Sequence, residues 1–100
     1  MQRVNLQVNF SPHYLSYKKK FKKDLLIIKR IDDTIDLFIN DNHTPSLKYK
    51  KINCKKDKAR YSIRIIGTQY RILMTVYDSN YADLKCICSH DEYSRINKNC

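Results

Sequence analysis

The sequence has very little glycine or proline, the residues that most often form turns and loops. Only one of its 100 residues is glycine and two are proline. A single glycine excludes the glycine-rich loops that hold phosphates in nucleotide-binding folds. The four cysteines form no Cys-x-x-Cys pair and therefore do not predict a zinc site. No apolar run approaches the roughly 20 residues that cross a bilayer, and the first residues lack the apolar segment of a signal peptide. We therefore expect a cytoplasmic protein without membrane contact, metal or cofactor.

Positive charge is abundant and unevenly distributed. Twenty Lys and Arg residues stand against ten Asp and Glu residues, which gives a formal net charge of +10. Seven of the cations lie within residues 18–30 and eight within residues 48–64. Clustered cations are typical of proteins that bind a polyanion, and nucleic acid is the partner they favour. A solvated surface that confers solubility, or an acidic protein partner, would also account for them.

The first half of the chain predicts one strand and two helices within a single domain of residues 1–100. Alternating apolar residues predict a strand from Val4 to Phe10. Ser11 is a suitable N-cap for a helix that continues to about Arg30. Asp32 or Asp33 is expected to cap a second helix. The apolar stripe of the first helix comprises Tyr14, Tyr17, Phe21, Leu25 and Ile28, and that of the second comprises Ile31, Ile35, Phe38 and Ile39.

A β-hairpin is the strongest prediction in the second half. Residues 61–66 and 69–77 are rich in β-branched and aromatic side chains, and Gly67-Thr68 between them suits a two-residue type II′ turn. Such a turn pairs Ile66 with Gln69 and places Arg64 directly opposite Arg71. Like charges opposite each other destabilise a sheet, so we expect these two arginines to face a polyanion. The other face of the hairpin carries Tyr61, Ile63, Ile65, Tyr70, Ile72, Met74 and Val76, which are expected in the core.

The remaining segments complete an α+β pattern. Residues 46–58 form a basic loop, and Ala82–Ser89 is expected to be a third core strand. Residues 90–97 are expected to form a short final helix or a mobile tail. The order β-α-α-β-β-β predicts an antiparallel-rich twisted sheet with two N-terminal helices packed on one face, which leaves the opposite face for function.

Several short motifs resemble the RelE/ParE superfamily of bacterial toxins. The resemblance covers about residues 43–93. It rests on His43-Thr-Pro-Ser-Leu47, Tyr61-Ser-Ile-Arg-Ile, Tyr70-Arg-Ile-Leu and Ile87-Cys-Ser-His-Asp-Glu-Tyr93. It implies a RelE-like fold and the toxin role in a type II toxin–antitoxin system. It further implies a metal-independent endoribonuclease that cleaves mRNA on the ribosome, and a small acidic antitoxin that forms a hetero-oligomer with the toxin.

The resemblance also implies roles for individual residues. Arg71 matches a typical arginine of the family, and Arg64 falls where RelE has a catalytic lysine. His90 matches the C-terminal catalytic histidine of YafQ- and HigB-like members, and Tyr93 lies near the C-terminal tyrosine of RelE. Ser62 stands in place of a second RelE lysine. The role of that lysine is therefore either missing or taken over by Lys50, Lys51 or Arg60, which are expected to bind phosphate.

Two other functions fit the same residues. ParE-type members share the fold, lack the nuclease residues and inhibit DNA gyrase. A non-catalytic RNA-binding protein would need the same cations. Individual residues also have structural alternatives: Arg64 and Arg71 could pair with acidic side chains, His90 could cap the strand or the final helix, and Tyr93 could be a packing residue.

Overall fold

The computed structural model describes residues 7–77 and 80–98. In chain order the elements are β1 (Gln7–Phe10), α1 (Pro12–Lys19), α2 (Leu25–Asn40), a 3₁₀ turn (Pro45–Leu47), β2 (Lys50–Lys51), β3 (Arg60–Arg64), β4 (Arg71–Tyr77), β5 (Tyr81–Cys88) and α3 (His90–Lys98). The α+β prediction is confirmed, and the predicted tail is a helix. Residues 4–6 of the predicted first strand lie outside the described residues.

The five strands form one mixed sheet in the order β1-β5-β4-β3-β2. Strand β1 lies parallel to β5, and the other neighbouring strands are antiparallel. The short edge strand β2 lies within the segment predicted to be a loop. A shift in register between β4 and β5 pairs Leu73 with Cys86 and Met74 with Leu84, which leaves Lys85 as the extra residue of a β-bulge.

The two N-terminal helices divide at a different place from the one predicted. The predicted first helix ends at Lys19, because the next amides bond to carbonyls three residues back, as Phe21 does to Lys18. Asp24 caps α2, since its carboxylate accepts a hydrogen bond from the Ile27 amide at 3.2 Å. Local capping therefore overrides an apolar periodicity that continues across the break. Leu25, expected in the stripe, is 77% exposed.

Both helices pack on one face of the sheet, as predicted. Their fully buried residues Tyr14, Ile31 and Phe38 meet Ile63, Ile72 and other strand residues in a single apolar cluster. The predicted core residues of the hairpin all belong to this cluster or pack against it. Asp32 and Asp33, expected as caps, lie inside α2, where they form surface ion pairs with Lys18 and Lys29.

The hairpin has the predicted strands and a different turn. Arg64 pairs with Arg71, and the Ile65 amide bonds to the Tyr70 carbonyl. Gly67, with φ +79°, is the third residue of a turn closed by the Thr68 amide on the Ile65 carbonyl, an arrangement typical of type II rather than type II′.

The predicted Ile66–Gln69 pair is absent because the backbone of Ile66 bonds to α2 instead. Its amide donates to the Thr34 hydroxyl at 3.1 Å, and its carbonyl accepts from the Arg30 guanidinium at 3.4 Å. These two bonds attach the hairpin turn to the helix.

The sheet face opposite α1 and α2 is termed the open face. The sequence predicted that this face is free, but part of it is covered by a helix. Helix α3 crosses part of it and packs Tyr93 and Ile96 against Ile52, Leu73 and Cys88. This second, smaller apolar cluster lies directly beside the two arginines of the hairpin.

Candidate functional site

The open face places Arg64 and Arg71 opposite each other on β3 and β4. The Nε of Arg64 donates to the Thr68 carbonyl at 3.1 Å. The Nε of Arg71 is buried, and no atom of residues 7–77 and 80–98 accepts a hydrogen bond from it. No carboxylate in this part of the chain forms an ion pair with either arginine. Two adjacent guanidinium groups are therefore available to an anion.

Tyr93 organises the cations of this face. It is 8% exposed, and its hydroxyl lies 3.2 Å from the Ser62 hydroxyl. The guanidinium carbon of Arg71 lies 4.9 Å from the centre of its ring, and the Lys50 ammonium lies 5.8 Å from it. Both distances suit cation–π contacts. The sequence suggested that this ring either stacks on a base or packs, and in the structure it packs against Arg71 and Lys50.

His90 is the first residue of α3, and its ring is exposed. Its Nδ1 lies 3.8 Å from the Asp91 carboxylate. Glu92, the other carboxylate expected to orient it, instead completes a capping box. The Glu92 amide bonds to the Ser89 hydroxyl, and the Ser89 amide bonds to the Glu92 carboxylate. The box fixes the start of α3 and therefore the position of His90.

A cleft of about 500 Å³ joins His90 to the tip of the hairpin. It is lined by Arg30, Thr68, Tyr70, Ser89 and His90 together with other residues of α2 and the turn. Thr68 is shared, because its carbonyl also holds Arg64. The residues that line this cleft include His90 but neither Arg64 nor Arg71, and no hydrogen bond or ion pair among the described residues joins His90 to either arginine.

The three cations proposed for phosphate binding occupy different positions. Lys50 lies opposite Ser62 on the open face, whereas Lys51 lies opposite Tyr61, which packs on the helical face. Arg60 lies at the far end of β3, where its Nε is 3.6 Å from the Asp57 carboxylate. The structure therefore brings Lys50, but not Lys51, next to Arg71 and Tyr93.

Several side chains that anchor this site were not predicted from the sequence. The Ser89-x-x-Glu92 pattern is a recognisable capping-box signal and would have predicted the start of α3. The roles of Ser62 and Thr68 had no such signal, because each depends on a contact between segments distant in sequence. Among the described residues, no group of three or more His, Cys, Asp or Glu side chains is placed to hold a metal ion, and no helix has the length and apolar character to cross a membrane.

The sequence matches no protein-family model and no curated protein. Solved structures nevertheless share its architecture. The YoeB dimer from Staphylococcus aureus is 24% identical, with a TM-score of 0.61 over 85% of this chain and 95% of that one. The E. coli DinJ-YafQ toxin-antitoxin complex contains a chain that is 12% identical, with a TM-score of 0.70 over 89% of this chain and 97% of that one.

A third structure extends the same comparison. The YoeB/ParE toxin from Agrobacterium tumefaciens is 11% identical, with a TM-score of 0.66 over 85% of this chain and 99% of that one. Each match covers nearly the whole of both chains, so the similarity extends to the complete arrangement of helices and sheet. The chain therefore has the RelE-like α+β fold found in the YoeB and YafQ toxins.

Proposed function

We propose that this protein is the toxin of a type II toxin–antitoxin system and acts as a metal-independent endoribonuclease that cleaves mRNA on the ribosome. The observation that carries the proposal is the pair of opposed arginines on the open face, with the buried Arg71 Nε lacking an acceptor among the described residues. A phosphate oxygen would supply that acceptor and offset the repulsion between the two charges.

The proposed reaction uses the nucleophile that RNA itself carries. The 2′-oxygen forms a bond to phosphorus and the bond from phosphorus to the 5′-oxygen breaks, which leaves a 2′,3′-cyclic phosphate. The 2′-hydroxyl loses its proton, and the departing 5′-oxygen gains one. Negative charge develops on the phosphoryl oxygens during this step. Arg64 and Arg71 are proposed to stabilise that charge, as preorganised donors do in other enzymes.

His90 is the proposed general acid or base. Its imidazole can exchange a proton near neutral pH, and the capping box fixes its helix start beside the hairpin tip. Lys50 is proposed to contact a substrate phosphate, since its ammonium lies on the open face. Tyr93 is proposed to hold Arg71 and Lys50 in place through its ring. Arg60 and Lys51 are proposed to make only peripheral phosphate contacts.

The proposed partner is an acidic antitoxin. Solved relatives of this fold include the YoeB-YefM complex from Staphylococcus aureus and the DinJ-YafQ complex. The net charge of +10 would favour an acidic segment that covers the cationic surface and orders as it binds. Co-expression with the adjacent open reading frame is expected to restore growth to cells that the protein alone inhibits. A harmless lone protein that finds no partner would contradict this assignment.

The decisive experiment maps mRNA ends after the purified protein is incubated with programmed ribosomes. Wild-type protein is expected to cleave, and Arg71→Ala is expected to lower the rate by about 10²–10³-fold. Arg95→Ala is the matched control, because it removes the same charge from an exposed position on α3. Equal loss in both variants would indicate a general charge effect. Inhibition of gyrase supercoiling without mRNA cleavage would favour the ParE-type alternative.

The role of His90 has its own test on the same ribosomes. His90→Gln is expected to retain ribosome and antitoxin binding and to lose cleavage by roughly 10²–10⁴-fold. The wild-type products are expected to end in a 2′,3′-cyclic phosphate and to form without an added metal. Normal cleavage by His90→Gln, or activity abolished by EDTA when ribosomal magnesium is controlled for, would remove this role.

A further inference from the structure

Two free thiols meet on the open face beside the arginines. Cys86 and Cys88 lie two residues apart on β5, and their sulfur atoms are 3.1 Å from each other. Cys88 pairs across the sheet with Arg71, and Cys86 pairs with Leu73. Cys88 belongs to the apolar cluster that contains Tyr93, and the partly buried Cys86 packs against it. The proposed reaction does not use either thiol.

We propose that Cys86 and Cys88 form an oxidation site at which a hydroperoxide converts the two thiols into an intrachain disulfide. Residues two apart on a strand have Cα atoms separated by about 6.6–6.8 Å, which falls at the upper end of the range that a disulfide spans. The sulfur atoms already lie 3.1 Å apart, and closing the bond requires β5 to compress locally until the two Cβ atoms are about 3.5–4.5 Å apart.

The environments of the two sulfur atoms assign their roles. The hydrogen bond from Cys88 lowers the pKa of the Cys86 thiol, and the nearby Arg60 charge acts in the same direction against burial and Glu92. The same hydrogen bond, together with burial, raises the pKa of the Cys88 thiol. Cys86 is also partly exposed, whereas Cys88 is 1% exposed. Cys86 is therefore the thiolate that attacks the peroxide, and Cys88 retains its proton.

The reaction balances in two steps. The Cys86 sulfur attacks one peroxide oxygen, the O–O bond breaks and hydroxide leaves, which gives a sulfenic acid. The Cys88 sulfur then attacks the Cys86 sulfur, the S–O bond breaks and water leaves with the Cys88 proton. The first step also removes the negative charge of the Cys86 thiolate, a charge that raises the pKa of Cys88. Cys88 therefore loses its proton more readily in the second step.

The disulfide would form directly beside the proposed RNA-cleaving group. Shortening the distance between the sulfur atoms pulls on β5 at the residue that pairs with Arg71, two residues before His90. A displacement of 1 Å at a catalytic group costs on the order of 10²-fold in rate. Oxidation is therefore expected to lower mRNA cleavage by about that factor, and reduction is expected to restore it. This consequence, unlike the oxidation itself, rests on the proposed function.

The oxidation is tested by mass spectrometry, without any activity assay. Trypsin releases both cysteines in one peptide, Cys86–Arg95, because Lys85 precedes it. The intact protein is treated with hydrogen peroxide, its remaining thiols are alkylated without reduction, and the peptide is measured. We expect a peptide that has lost two hydrogen atoms and carries no alkyl group. In Cys88→Ala, Cys86 is expected to stop at a sulfenic acid that dimedone traps.

Two controls keep the test decisive. Cys86→Ala is expected to leave Cys88 unoxidised, because the buried thiol has no partner to react with peroxide first. Cys88→Ser repeats the dimedone test in case the alanine variant does not fold, which circular dichroism reports. A wild-type peptide with both thiols still alkylated, or one joined to another cysteine peptide of the chain, would overturn the proposal whether or not the protein cleaves RNA.

Discussion

The two faces of the sheet are built from the same strands and are packed in opposite ways. On the helical face, α1 and α2 bury a continuous layer of aliphatic and aromatic residues. On the open face, one short helix covers a small cluster, and two arginines stand opposite each other beside it. Strand alternation makes this division possible, because each residue on β3 or β4 contributes to one face only. The fold can therefore tolerate an unfavourable charge pair on one face while the other supplies its stability.

Neighbouring residues on β4 give the sharpest test of this division. Ile72 is fully buried on the helical face, and Arg71 precedes it on the open face. Ile72→Ala removes buried methyl groups and leaves a cavity, so we expect the free energy of unfolding to fall by about 2–5 kcal/mol. Urea denaturation of the two single variants measures the difference.

Arg71→Ala is the matched comparison and should leave that free energy nearly unchanged, because its loss also relieves the repulsion with Arg64. If Arg71→Ala unfolds the protein as strongly as Ile72→Ala does, the arginine is structural. The functional reading of the open face would then fail.

Tyr93→Phe examines the small cluster that joins α3 to the open face. The change removes a hydroxyl and leaves the ring, so the contact with Arg71 survives while the buried Ser62 hydroxyl loses its partner. The expected cost in unfolding free energy is about 1–3 kcal/mol, because the Ser62 hydroxyl is left buried without a partner, and thermal denaturation measures it.

Cleavage by Tyr93→Phe should stay close to the wild-type rate, whereas Tyr93→Ala should lose both stability and cleavage. A nuclease defect in Tyr93→Phe as large as that in Tyr93→Ala would assign a chemical role to the hydroxyl and contradict a purely positioning role for the ring.

A substitution of Asp83 tests the far end of the open face, where we expect the smallest change in the free energy of unfolding. Burial raises the pKa of its carboxyl, but the hydrogen bonds from Lys85 and Asn9 outweigh it and hold the pKa below its ordinary value. A lowered pKa stabilises the fold above the ordinary carboxyl range, and that stabilisation is lost as pH falls through the folded value. Asp83→Asn should therefore cost about 0.2–1 kcal/mol at neutral pH.

The cost should shrink as the pH falls below about 4, where the wild-type carboxyl also becomes protonated. Denaturant titrations of both proteins at neutral pH and at about pH 3 would show the convergence. A difference that is constant with pH would mean that shape, rather than charge, matters at this position.

The sequence predicted those features that follow from a short repeat. Alternation along a strand was enough to identify the core face of the hairpin, and the assumed tight turn gave the register that places Arg64 opposite Arg71, although the type of the turn is different. The break between α1 and α2 was missed because the apolar spacing continues through it, while the deciding interaction is one hydrogen bond at Asp24. The turn was misjudged for a similar reason, since Thr34 and Arg30 of a distant helix bind the Ile66 backbone.

The candidate site also has features that the sequence predicts and features that it does not. The shared face of the arginines could be predicted, but the packing of α3 that brings Tyr93 onto Arg71 could not, because it depends on two elements distant in sequence meeting. Lys50 and Lys51 are adjacent and chemically identical, so only the register of a two-residue strand decides which one reaches the open face.

The single glycine of the chain limits how far its hairpin can vary. A Cβ atom at Gly67 would collide with the Arg30 guanidinium, and the positive φ would strain any other L-residue there. Saturation mutagenesis should find this position among the least permissive in the protein, although it is exposed. Homologues that vary here should keep a residue that tolerates a positive φ, such as asparagine, because the Arg30 guanidinium is the end of a flexible side chain and can move aside whereas the backbone cannot.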